Sequence, residues 1–209
     1  MKLFVEGGGE SVLLRAECRR GFSEFLRKAG LGGHMPRVVA CGGRTHAYRD
    51  FCTAIANGEA AILLVDSEGP IAAPHQQGPF MSWKPWLHLK QRIGDGWDQP
   101  DHARDEHCHL MVECMESWFL ADRDVLKTFF DPGFRPNALP SASNAIEGVV
   151  KGQLDQSLAE ATKNCKTKSV YRKGPHSFKI LALIDPVKVT AASPWAQRFV
   201  QEVKAQMGG

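Results

Sequence analysis

No C-x-x-C pair occurs among the six cysteines (Cys18, Cys41, Cys52, Cys108, Cys114 and Cys165). Cys18 and Cys52 fall in helical patterns and Cys41 in a strand pattern. The set reads as reduced, packed thiols of a cytosolic protein rather than a disulfide framework. No apolar run approaches transmembrane length, and no basic-then-apolar leader precedes the first strand, so the expectation is a cytoplasmic protein with no membrane partner. Charge of one sign is scarce as well: 26 Lys and Arg against 23 Asp and Glu leave a net charge of +3. That excess is too small to mark a nucleic-acid binder and is merely compatible with an anionic partner. There is no P-loop pattern, no internal repeat and no low-complexity tract.

What is present is ordinary globular material. With 209 residues, 43% hydrophobic and 23% charged, the chain is one domain, or one domain with an appendage, and can bury a sizeable core. Lys2 to Val5 is a short apolar run entering Glu6 and the glycine triplet Gly7, Gly8, Gly9. Glu10 or Ser11 opens a helix carrying Val12, Leu13, Cys18, Phe22, Phe25 and Leu26 at helical spacing. Arg37 to Ala40 reads as a second strand, Arg44 to Asn57 as a second helix, and Ile62 to Val65 as a third strand, buried on both faces. Residues 1–66 therefore read β-α-β-α-β, which right-handed crossovers wind into a parallel sheet. Residues 69–106 form an irregular insertion with a short helix around Trp83, Trp86, Leu87 and Leu89. Cys108 to Cys114 reads as a further strand, and Glu116 to Phe130 as helix with a break near Asp122. A Pro/Asn/Ser linker follows over residues 131–145. Ile146 to Lys163, Ser177 to Ile184 and Pro194 to Met207 close the chain as helices. The division expected is an α/β core over 1–130 and a linker with a helical C-terminal extension over 131–209.

Chemistry concentrates at strand ends. Asp66 and Glu68 follow the third strand, and on extended backbone residues two apart point to one side. Glu6 ends the first strand, which neighbours the third in a doubly wound sheet. Carboxylates gathered on one rim repel unless a cation lies between them, and Mg²⁺ or Mn²⁺ is the hard ion that such oxygens hold. The plainer alternative has Asp66 capping the next segment and Glu68 solvated. Gly7 and Gly8 let backbone approach a phosphate, although a glycine triplet alone also marks a plain loop. Arg44, just after Gly42 and Gly43, is the better phosphate candidate; Arg15, Arg19 and Arg20 fit a phosphate clamp or a solvated helix face. Lys168, Arg172, Lys173 and His176 form the densest basic segment, a charged loop or a nucleic-acid backbone contact. His107 and His109 flank Cys108 in a spacing that, with Cys114, reads as zinc ligands or as packed side chains, the second being the commoner case. Ser67 and Ser117 have no paired base that would mark a nucleophile.

Val5-Glu6-Gly7 followed by Asp66-Ser67-Glu68 resembles the Toprim domain of topoisomerases, primases and overcoming-lysogenization-defect nucleases. Over nearly its whole length, through FVEGGGE, ECRRGF, PRVVACGGR, LLVDSE, HLMVECMESWFLAD and YRKG…SPWAQRF, the chain is similar to the bacterial domain of unknown function 4276. That resemblance implies a Toprim-like parallel sheet and phage-defence neighbourhoods with an ATPase partner. It makes Glu6 a general acid/base or metal ligand and Asp66 a metal ligand. Glu68 stands where the Toprim pattern has a second aspartate, which keeps the carboxylate on a longer arm. Glu116 with Trp118 matches an E-x-W stretch. Its carboxylate is either a further metal ligand or a helix-start charge beside a core tryptophan. The leading expectation is a Mg²⁺-dependent nuclease using Glu6, Asp66, Glu68 and Glu116, with Gly7, Gly8, Arg44 and Lys173 on phosphate. The alternative is a non-catalytic nucleotide-binding or regulatory subunit of an ATPase complex.

Overall fold

The computed structural model describes residues 1–143 and 145–208. Its centre is a four-stranded, all-parallel sheet in the order β2-β1-β3-β4. The strands are β1 (Lys2–Gly8), β2 (Arg37–Gly42), β3 (Ala61–Asp66) and β4 (Cys108–Met111). Helix α1 (Val12–Leu26) connects β1 to β2, and α2 (Arg44–Ala56) connects β2 to β3. Alternation along the strands divides the core in two. Leu3, Val5, Ile62, Leu64 and Met111 face α1 and the C-terminal helices. Phe4, Leu63, Val65, Cys108 and Leu110 face α2 and the insertion, where Phe51, Trp83, Trp86 and Trp97 pack. Both faces are covered, which is why β3 reads as an unbroken apolar run rather than an alternating one.

Four helices follow the α3 segment (Pro85–Gln91) and β4 before the last one: α4 (Arg123–Phe130), α5 (Lys151–Thr162), α6 (Ser177–Leu181) and α7 (Pro186–Ala192). The last is α8 (Pro194–Gln206), capped by Ser193, whose hydroxyl accepts the Ala196 N–H at 3.0 Å. It closes the β4 edge. Arg198, buried, donates to the Cys108 carbonyl (2.8 Å) and the Asp105 carbonyl (2.7 Å) and contacts His109 Nδ1 (2.9 Å). An exposed strand edge offers unpaired backbone to other chains, and this guanidinium takes up part of it.

The parallel β-α-β-α-β start, the Ser11 cap of α1 and the break at Asp122 agree with the sequence reading. Several boundaries are corrected. β1 runs on to Gly8, because glycines at positive φ bulge against Gly42 and keep pairing with β2. β4 stops at Met111 rather than Cys114, because Glu113 turns left-handed (φ 61°) and sends the chain across the sheet end. Trp83 lies outside α3, since Lys84 and Pro85 set the helix start after it. Helix α7 was not expected; Asp185 caps it by accepting the Val187 N–H at 2.9 Å, and Pro186 sits at its first position.

Helix α1 crosses the α6 segment closely at Gly21, where an added Cβ would lie 2.7 Å from the Phe178 carbonyl oxygen. Alanine normally favours a helix interior over glycine by about 0.5–1 kcal/mol. Here the neighbour is backbone and cannot swing away, so Gly21→Ala is expected to lower stability by about 1–3 kcal/mol. Gly152→Ala on α5, where a Cβ meets open space, is the control and should be neutral or slightly stabilising. Denaturant melts of the two variants check the opposed signs.

Candidate metal and phosphate site

The site forms at the carboxyl ends of β1 and β3, which lie side by side with Val5 opposite Leu64. Just beyond that pair, the Asp66 N–H donates to Glu6 Oε2 at 3.3 Å, so the two acidic residues are tied through backbone. Asp66 Oδ1 accepts the Met115 N–H at 2.9 Å, which locks its rotamer. Glu68 arrives differently from the expected extended pair. β3 ends at Asp66, and Glu68 adopts a left-handed conformation (φ 58°). The turn is held at Ser67, whose hydroxyl donates to the Gly69 carbonyl (2.6 Å) and accepts the Glu113 N–H (2.8 Å). The Glu68 N–H donates to the Glu113 carbonyl at 3.1 Å. One carboxylate oxygen each from Glu6, Asp66 and Glu68 then lies within 4.8 Å of the other two.

Three cations from distant segments answer these charges. Arg44, at the start of α2, donates through Nη1 to Glu6 Oε2 (3.3 Å) and the Asp66 carbonyl (2.9 Å). Its remaining face is clamped by Asp95 in the insertion (Nε–Oδ1 2.9 Å, Nη2–Oδ2 2.5 Å), and its plane lies over Trp97. Arg44 therefore positions Glu6 instead of standing free for phosphate, which corrects that expectation. Lys151, at the start of α5, donates to both Glu68 oxygens (2.6 and 2.7 Å), while its N–H donates to Glu113 Oε2 at 2.9 Å. Lys173 Nζ lies 3.2 Å from Glu116 Oε2, and its side chain is half exposed.

Glu116 itself is fully buried, in a helical turn (Met115–Ala121) beside Trp118. Its Oε1 accepts from Tyr171 (3.1 Å) and Ser177 (3.0 Å), while Oε2 has only the Lys173 charge contact and no well-directed hydrogen bond. Glu6, Asp66, Glu116 and Lys173 share a cavity of about 250 Å³ whose wall includes Gly7, Gly8 and Gly42. Those glycines are required by space. A Cβ on Gly8 would lie 2.7 Å from the Arg15 Cα, and one on Gly42 would lie 2.6 Å from the Gly9 carbonyl oxygen. Arg15 pins the same loop by donating from Nε to that carbonyl at 2.8 Å.

Burial sets the electrostatics. It raises the Asp66 carboxyl well above the ordinary aspartate range, and the Glu6 and Glu116 charges push the same way. It raises Glu6 as well, against the opposing pull of Arg44 and the Asp66 N–H. Burial alone would lower Lys173, but Glu116 and Asp66 outweigh it and its ammonium is held. The site thus favours protons when no other cation is present.

Other candidates resolve as packing. His109 is buried between Arg198 and Phe199, and burial holds it well below the usual histidine range. Among the described residues Glu6, Asp66 and Glu68 form the one cluster with metal-ligand convergence, so His107, His109 and Cys114 do not make a zinc set. Lys168 sits over the Phe129 ring and His176 packs on Phe130. Sequence reasoning missed Asp95, Glu113 and Lys151. Glu113 lay inside an expected strand, and the other two are single charges far along the chain with no motif around them.

Because the folded-state pKa of Asp66 and Glu6 is raised, these two groups bind more protons in the metal-free fold than in the unfolded chain in the window above pH 4. Their contribution to stability should fall as pH rises through that window. Asp66→Asn, which keeps the Oδ1 acceptor, should melt a few degrees above the wild type at pH 8 in chelator, with the gap closing toward pH 4. Thermal melts by circular dichroism at the two pH values check this.

No curated protein and no solved structure matches the chain. Residues 5–204 match the model of a family described as a domain of unknown function, DUF4276, and the chain belongs to that family.

Proposed function

We propose that this protein is a Toprim-like, Mg²⁺- or Mn²⁺-dependent nuclease that hydrolyses phosphodiester bonds. The observation that carries this reading is the convergence of Glu6, Asp66 and Glu68 oxygens within 4.8 Å beside a glycine-walled cavity. The residues fit such an ion. All three donors are carboxylate oxygens, the set preferred by hard divalent cations, and burial together with the Glu6 and Glu116 charges raises the Asp66 pKa. Bound there, a divalent ion would activate water and neutralise charge on a phosphoryl group.

The chain's own groups supply the rest. Glu6, oriented by Arg44, holds a carboxylate at the cavity where it can accept a proton from attacking water. Lys173, held charged by Glu116, projects into the cavity and pairs with a phosphate oxygen. The Gly7–Gly8 wall admits that phosphate without side-chain obstruction. Glu116 acts here as the anchor of Lys173 rather than as a metal ligand, because that ammonium and the Tyr171 and Ser177 hydroxyls already surround it. The family resemblance read from the sequence supports nucleic acid as the substrate and an ATPase as partner in a cytoplasmic phage-defence system.

One observation favours a second reading, a non-catalytic nucleotide-binding or regulatory subunit: Lys151 occupies both Glu68 oxygens, as a built-in cation would in a disused metal site. Under the nuclease reading Asp66→Ala abolishes metal-dependent cleavage of DNA or RNA and Mn²⁺ binding by calorimetry, with the circular dichroism spectrum unchanged. Cleavage retained in that variant would remove the mechanism. A wild type that neither binds Mn²⁺ nor cleaves, yet holds nucleotide, would favour the subunit.

A further inference from the structure

A second cleft, of about 240 Å³, adjoins the acidic rim at Glu68. Its wall carries His75, His88, Gln91 and Arg92 together with the Glu68 turn. His75 and His88 are both buried, with ring centroids 6.4 Å apart at an interplanar angle of 78°. His88 Nε2 lies 3.0 Å from the Ser67 carbonyl. A carbonyl only accepts, so Nε2 carries a proton, and burial, which lowers the His88 pKa, favours the neutral ring with Nδ1 as an acceptor. His75 Nδ1 is buried and has no hydrogen-bond partner among the described residues. An unmade buried hydrogen bond costs about 1–3 kcal/mol, which a ligand supplying the missing partner would recover. Arg92 gives one nitrogen to Asp95 at 3.2 Å, and a guanidinium retains further donors.

We propose that this cleft receives one nucleobase of the substrate, the base next to the phosphate held at the Glu6–Asp66–Glu68 rim. The geometry selects against other occupants. The Glu68 carboxylate in the wall is already paired with Lys151, and the volume of the cleft suits one ring system rather than a larger ligand. The wall offers donors and acceptors of the kind that read the edge of a base, beside two imidazole rings. Glu68 belongs to both the rim and the cleft wall, so the base position adjoins the phosphate position. The proposal rests on the phosphodiester reading of the rim, and it makes His75 and His88 specificity-determining residues.

The test uses the full chain in chelator, so that no cleavage occurs, and follows the imidazole nitrogens by NMR. AMP, GMP, CMP and UMP are titrated separately, with ribose 5-phosphate as the probe without a base. The expected result is that at least one nucleotide shifts the His75 and His88 signals and binds about tenfold or more tighter than ribose 5-phosphate. His75→Phe, which keeps a ring and removes its nitrogens, should erase that preference. Gln91→Trp, an exposed substitution at the cleft, should block binding even if the buried variant folds poorly. Equal response to ribose 5-phosphate and all four nucleotides, or no response of either histidine, overturns the proposal. Base binding is read here without metal. Base binding without any cleavage would fail the rim reading alone, and cleavage with no histidine response would fail the cleft alone.

Discussion

Carboxylates gathered where two buried strands end repel one another in a medium that screens them poorly, and the surrounding segments bring the cations that offset this repulsion. Glu6, Asp66, Glu68 and Glu116 are supported by three cations, and each cation belongs to a different part of the chain. Arg44 comes from the start of α2, Lys151 from the start of α5 and Lys173 from the loop before α6. The insertion contributes Asp95 and Trp97, which hold Arg44 in place. The C-terminal helices therefore complete the site as well as covering one face of the sheet. Such a charge network stands on mutual satisfaction, since a buried ion deprived of its partner costs several kcal/mol.

The turn that carries Glu68 shows how the fold accommodates this crowding. A non-glycine residue in the left-handed region costs about 1–2 kcal/mol, and the turn persists because Ser67 binds it on both sides. The reward is a third carboxylate aimed back at Glu6 and Asp66. Glu113, also left-handed, serves from the β4 side: its backbone receives and supplies hydrogen bonds to the turn, and its side chain receives the first N–H of α5. Two strained residues thus bracket the rim, a placement typical of functional sites.

The acidic site was legible because it is encoded locally. Glu6 and Asp66 each directly follow an apolar run, and in a parallel sheet run ends lie on one rim. Glu116 was legible as a residue and not as a role, because Tyr171 and Ser177, which saturate one of its oxygens, lie 55 and 61 positions later. Arg44 was misread for the same reason: nothing near it in sequence announces that Asp95 will occupy its fork.

By itself, the sequence determined the order of strands and helices through residue 66, the apolar centre of the sheet and the grouping of Glu6 with Asp66. Periodicity and strand-end position are properties of short segments, and parallel winding leaves little choice of neighbour. Only the tertiary structure decided which charges meet. The pairing of Lys151 with Glu68, of Lys173 with Glu116 and of Arg198 with the β4 edge depends on where helices after residue 150 dock. Their docking is set by apolar burial over the whole core, a quantity no local window of sequence contains.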